Sequence, residues 1–235
     1  KPLSDCMGIT MAAACAIIDS LESVCGVHAG IKWVNDIFCS VAQFVQYVDS
    51  TLLLGLNGLH NPVLDTVMRT VSCRTVWIPL YLLLFALVWR RYGLKGAVLC
   101  LLTTLLAVTL ADQLCGSWLR SAVGRLRPSN PDNPLSEWVH LVNNYRGGKY
   151  GFPSCHAANT AVVAITLSLW LRRRALMAWL LGWSALVSLS RIYLGVHYPG
   201  DVLAGFAIGA GIAYGLMRLL RPALSAAHLA TPVSA

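Results

Sequence analysis

Seven polar residues carry most of the chemistry this chain can offer: Arg120, Arg127, Ser154, His156, Arg191, His197 and Asp201. Guanidinium forks match phosphate oxygens two at a time. A neutral imidazole can attack phosphorus. A second imidazole can protonate the departing oxygen, and a carboxylate can hold the first in the correct tautomer. His197 and Asp201 stand four apart, within reach of one another at the start of a helix. Each residue also has a structural reading. Ser154 and Asp201 can cap helices, Arg191 can complement a helix C-terminus, and Arg120 and Arg127 can snorkel at an interface. Taken together the set favours an anion, because clustered cations repel unless an anion lies between them. Phosphoryl transfer mainly needs positioning and charge. No His or carboxylate cluster suggests a metal site, so no metal or cofactor is expected and the arginines supply the positive charge.

The elements that position these residues are apolar. The chain has 235 residues, 57% hydrophobic and only 12% charged, with a mean hydropathy of +0.63. A soluble domain carries about twice that charge. Five apolar runs follow residue 74: Thr75–Trp89, Gly96–Leu119, Cys155–Leu171, Ala175–Ser190 and Val202–Met217. With flanking Arg and Trp they approach the ~20 residues a bilayer core requires. If each run crosses, the ends at Leu119, Cys155 and Ser190 and the start at Val202 face one side, and the seven polar residues converge there. The fold expected is therefore all-α, a polytopic transmembrane helical bundle of five to six spans. The segment between Val41 and Cys73, broken by Gly55, Gly58 and Asn61-Pro62, reads either as the sixth span or as two short helices. Arg120 to Phe152, with three prolines and Gly147-Gly148, reads as a long functional loop.

Charge and cysteines narrow the partners. The net charge of +8 fits an anionic lipid or a phosphate substrate. Nucleic acid is excluded as a partner, because no basic helix or aromatic-interleaved motif is present. The eight cysteines form no C-x-x-C pair and lie mostly among apolar residues, so buried free thiols are expected. The first 30 residues lack a secretory signal pattern, which leaves an uncleaved membrane segment to direct insertion.

The sequence resembles the type 2 phosphatidic acid phosphatase family of membrane phosphatases, which shares its site with vanadium haloperoxidases. The family motifs K-x6-R-P, P-S-G-H and S-R-x5-H-x3-D are matched by "RSAVGRLRP" (Arg120 to Pro128), "PSCH" (Pro153 to His156) and "SRIYLGVHYPGD" (Ser190 to Asp201). Arg120 stands where Lys is usual and Cys155 where Gly is usual. The resemblance covers residues 41 to 221. It implies a metal-independent lipid phosphate or diphosphate hydrolase. His197 would form a phosphohistidine, Asp201 would orient it, and His156 would be the general acid. Arg120, Arg127 and Arg191 would hold the phosphate, helped by Ser154 and the amide of Cys155. Undecaprenyl diphosphate ranks first among the implied substrates, followed by phosphatidylglycerophosphate, phosphatidate and lipid A phosphates. The alternatives are a catalytically impaired membrane scaffold or lipid-phosphate-binding protein, and, ranked after it, a vanadate-dependent haloperoxidase.

Residues 1–40 resemble part of a biotin protein ligase, through "KWVND" (Lys32 to Asp36) and the helix-like stretch before it. This appendage lacks the nucleotide loop and reads as an inactive fragment, a helix followed by a short apolar strand. The membrane domain would span residues 41–222, with a flexible tail from residue 223. Eight basic residues lie opposite the site, against five on the site side once the three proposed phosphate ligands are set aside. The positive-inside rule then predicts a multi-pass protein of a bacterial inner membrane with the site on the extracytoplasmic face.

Overall fold

The computed structural model describes residues 34–226, with side chains described over residues 43–220. The described residues fall into two units, one ending at Thr51 and the other starting at Leu52. Their regular structure is helical apart from one isolated bridge between Leu126 and Tyr150.

Helix α1 spans Val34–Asn57. The biotin-ligase-like stretch up to residue 33 lies outside the described residues. Residues 34–40, the end of the appendage for which a helix and then a short apolar strand are expected, are helical. A lone strand leaves its backbone groups unpaired, whereas a helix pairs them internally. After a break at Asn61, α2 spans Pro62–Ser72. Asn61 Oδ1 accepts from the amides of Val63 (3.1 Å) and Leu64 (2.9 Å), and Pro62 follows at the first helical position, where its missing N–H costs nothing. Residues 41–73 thus form parts of two helices. The 11-residue α2, at ~1.5 Å per residue, is too short to cross a bilayer.

Helix α3, Ile78–Asp112, continues through a π-helical stretch, Gln113–Leu119, into the short α4, Arg120–Val123. The apolar stretch Arg74–Val123 is 50 residues long, more than twice what a bilayer core of ~30 Å accommodates. The chain meets this by breaking at Gly93, whose φ of 70° and ψ of 176° lie in a region open mainly to glycine. Residues at similar distances on either side of Gly93, such as Leu84 with Leu101 and Tyr81 with Thr104, line one cavity. The two arms therefore run antiparallel, matching the first two apolar runs.

Helices α5 (Cys155–Leu171), α6 (Arg174–Tyr193) and α7 (Pro199–Ala226) complete the bundle. Helix α7 includes residues 223–226, which the sequence assigned to the tail. Large apolar side chains on the helices stay uncovered, among them Leu82 at 65%, Leu102 at 56% and Leu203 at 71% exposure. In water such faces would aggregate; in a bilayer they are solvated. The protein is a membrane protein with a helical transmembrane bundle.

Two features fix the site end of this bundle. Helix α7 meets α5 backbone to backbone: a Cβ at Gly205 would stand 2.3 Å from the Ser154 carbonyl oxygen, and one at Gly209 would stand 2.1 Å from that of Ala158. Small residues permit this approach in membrane helices. Asn57, 1% exposed, donates to the carbonyls of His140 (2.9 Å) and Tyr193 (2.6 Å) and accepts the His140 amide (2.8 Å). It ties the long loop to the end of α6. The loop is further closed by Arg127 N–H to Lys149 O (3.1 Å) and Gly151 N–H to Arg125 O (2.8 Å).

Candidate active site

Six of the eight residues expected at the site line one polar cavity of about 350 Å³: Arg120, Arg127, Cys155, His156, Arg191 and His197. They come from α4, the long loop, the start of α5, the end of α6 and the turn before α7. The other two, Ser154 and Asp201, sit behind the wall, both fully buried.

Arg127 and His197 are in direct contact. Arg127 Nη1 lies 3.1 Å from His197 Nε2 and 3.2 Å from the Val196 carbonyl, while Nε donates to Tyr150 O at 3.0 Å. A guanidinium only donates, so Nε2 must present its lone pair and the imidazole proton resides on Nδ1. That atom points to Asp201 Oδ2 at 3.5 Å, a separation longer than a good hydrogen bond. Asp201 is also held by the Tyr198 amide (3.0 Å, Oδ2) and by Arg125 Nη1 (3.0 Å, Oδ1). Burial, reinforced by Arg127, Arg191 and Arg120, holds the His197 pKa well below the ordinary histidine value. The imidazole is neutral at physiological pH, the form that has a free lone pair. Burial together with Arg120 and Arg191 pulls Arg127 down to about 10, so it remains a cation at neutral pH.

The remaining cations converge on the same space. Arg191, 3% exposed, donates to Ser72 Oγ and, at 3.4 Å, to Tyr145 Oη. Arg120 Nη2 reaches Cys155 Sγ at 3.0 Å and Pro153 O at 3.4 Å. Ser154 occupies the N-cap position of α5, but its hydroxyl makes no capping bond and is buried without a partner. Its amide donates to Asp201 O at 2.9 Å. The first bond of the helix runs from Ala158 N–H to Ser154 O (3.0 Å), so the amides of Cys155 and His156 have no acceptor within α5. A helix start with open amides, flanked by guanidinium groups, is an anion site.

The sequence profile of the PAP2 superfamily matches residues 97–224. The chain belongs to the PAP2 superfamily. A relative named lipid A 4'-phosphatase from Bacteroides thetaiotaomicron is 43% identical over 167 residues, 71% of this chain and 74% of the relative. One of the same name from Porphyromonas gingivalis is 35% identical over 170 residues, 71% of this chain and 70% of the relative. Among solved structures, Aquifex aeolicus LpxE superposes with a TM-score of 0.57 at 26% identity, covering 72% of this chain and 93% of that one. The protein is a PAP2 membrane phosphatase, a hydrolase of lipid phosphates.

Three residues of this PAP2 site are not motif-defining: Arg74 and Tyr145 lie outside the motifs, and Arg125 fills a variable position of the first. Arg74 and Tyr145 line the cavity, and Arg125 is bonded to the Asp201 carboxyl and stacks over the Tyr198 ring at 4.0 Å. Burial acts to raise the Tyr145 pKa, yet the hydrogen bond and charge of Arg191 bring it below the ordinary tyrosine value. In sequence Arg74 looks like any basic flank of an apolar run, and Tyr145 like a loop aromatic. A second, apolar cavity of about 400 Å³ runs between the arms of α3 and α5. It shares Arg74, Asp112 and His156 with the polar one.

Proposed function

We propose that this PAP2 phosphatase removes a phosphate from a lipid A-type glycolipid through a phosphohistidine. The observation that carries the chemistry is the Arg127–His197 contact, 3.1 Å with Nε2 presenting its lone pair, at the floor of a cationic cavity. Nε2 attacks phosphorus as the bond to the lipid oxygen breaks, and His156 gives that oxygen its proton. Water then attacks the phosphorus–nitrogen bond, His156 takes up the water's proton, and inorganic phosphate leaves. Arg120, Arg127 and Arg191, with the amide of Cys155, hold the phosphate oxygens, and Ser154, buried behind the wall, supports the start of α5. Asp201 keeps the Nδ1 proton of His197 in place. No step calls for a metal ion.

The two relatives named lipid A 4'-phosphatase, each aligned over about seven-tenths of this chain, support a lipid A phosphate ahead of the undecaprenyl diphosphate ranked first from sequence. The apolar cavity beside the polar one supports a substrate whose chains stay in the bilayer while its phosphate enters the site. The excess of basic residues opposite the site supports an extracytoplasmic site in a bacterial inner membrane. The test is phosphate release from lipid A and from undecaprenyl diphosphate by purified protein in detergent with EDTA present. Release from lipid A that His197→Ala abolishes is the expected result. Release from undecaprenyl diphosphate alone overturns the substrate, and release that survives His197→Ala overturns the mechanism.

A further inference from the structure

Where the apolar and polar cavities meet, two polar side chains face each other from different helices. Asn159 Nδ2 on α5 donates to Asp112 Oδ1 at the end of α3, at 2.9 Å. Both residues line the apolar cavity, and Asp112 also lines the polar one. The second polar atom of the amide, Asn159 Oδ1, is buried without a partner. Ionisable and amide groups inside a membrane bundle are costly unless something pairs with them. None of the phosphate-transfer roles uses either residue. Phosphate does not suit them, because a carboxyl repels an anion and an amide oxygen only accepts.

We infer that Asp112 and Asn159 form a subsite for hydrogen-bond donors on the alcohol portion of the substrate, the hydroxyl or amide N–H groups next to the scissile phosphate. The phosphate lies among the arginines, the donor-bearing group meets Asp112 and Asn159 at the junction, and the apolar chain continues into the larger cavity. The inference rests on the phosphatase reading and adds a discrimination to it. A sugar or glycerol lipid carries such donors, while a prenyl chain carries none. A substrate lacking the donor leaves Asn159 Oδ1 unpaired, which is how buried polar groups reject analogues.

The test compares kcat/KM of the purified full chain on two probes, lipid A carrying a 4'-phosphate and farnesyl phosphate. Wild type is expected to prefer lipid A. Asp112→Ala and Asn159→Ala are expected to lower kcat/KM on lipid A roughly ten- to a hundred-fold, through KM, and to change farnesyl phosphate turnover by less than about threefold. Asp112→Asn, which keeps an oxygen acceptor, is expected to recover part of the loss. Farnesyl phosphate turnover and monodisperse elution report folding; if Asp112→Ala aggregates, Asp112→Asn and Asn159→Ala carry the comparison. Equal losses on both probes, or a loss in kcat with KM unchanged, would show the pair to be a link between helices and overturn the subsite. A wild-type preference for farnesyl phosphate overturns it too while leaving the phosphatase reading standing. No release from either probe by wild type overturns both.

Discussion

Arg127 Nη1 and His197 Nε2 lie 3.1 Å apart, and both residues are buried. The contact fixes the imidazole tautomer and lowers its basicity in one stroke. In the proposed reaction a phosphate entering the cavity takes over that guanidinium hydrogen, which frees the Nε2 lone pair for the phosphorus atom.

Arg127→Lys is therefore not a conservative change. Lysine keeps the charge but cannot bond Tyr150 O, Val196 O and Nε2 together as the fork does. Phosphate release should fall roughly 10²–10³-fold, the range for losing one positioned hydrogen-bond donor where charge develops. Steady-state assays on lipid A with the Lys and Ala variants check this, and full activity in the Lys variant would rule the fork out.

The His197 shift sets the acid limb of the pH profile. Its pKa lies well below the ordinary histidine value, so the nucleophilic form persists as pH drops through about 6.5. The acid limb of kcat/KM assigned to His197 should fall well below pH 6.5. Arg127→Met removes a neighbouring cation, so that limb should move upward. The same shift enters stability. A depressed folded-state value means the unfolded chain binds more protons, so the stabilisation is present above about pH 6.5 and is lost as pH falls toward the folded-state value. Rate profiles of both proteins on one substrate test the assignment.

Cys155 Sγ lies 3.0 Å from Arg120 Nη2, so an adduct on that sulfur would displace a cation proposed to hold the phosphate. A small thiol reagent such as methyl methanethiosulfonate should inhibit wild type, vanadate should protect against it, and Cys155→Gly should be insensitive to it. Cys73, exposed and free, serves as the control: Cys73→Ser should leave the sensitivity intact.

The α5–α7 seam tolerates no side chain at Gly209, where a Cβ would stand 2.1 Å from the Ala158 carbonyl oxygen. Gly209→Val should destabilise by roughly 1–3 kcal/mol or more, the usual cost of overpacking. It should also depress phosphate release through the displaced start of α5. Thermal unfolding in detergent measures the first effect, and a Gly211→Ala variant, at a glycine with open space beside it, should be close to wild type.

Much of this architecture is legible in the order of the amino acids. Apolar runs marked the helices because a bilayer leaves so few options for backbone pairing. Motif spacing brought six of the eight expected residues to one cavity. Reading stopped where a role depends on three-dimensional company. Arg74 is 46 residues before Arg120 in the chain, and nothing local distinguishes it from an interface anchor. Arg125 counted only as a basic residue, because its bond to Asp201 joins positions 76 apart. Ser154 was readable as a cap from its position, but the hydroxyl left unpaired there is a property of how the loop enters α5. Residues 34–40 of the appendage are helical, and the short apolar strand expected within the appendage would need sheet partners that the resembling stretch does not bring.

The backbone seam at Gly205 and Gly209 reaches beyond packing. It joins the segment bearing Ser154, Cys155 and His156 to the helix bearing Asp201, with His197 in the turn just before it. The distance between the two histidines is thereby set by peptide groups in contact rather than by flexible side chains. Arg120 reaches the same cavity by a different route, on the long arm that follows Gly93. The two histidines thus share one main-chain frame, and the cation that completes their pocket is carried by another.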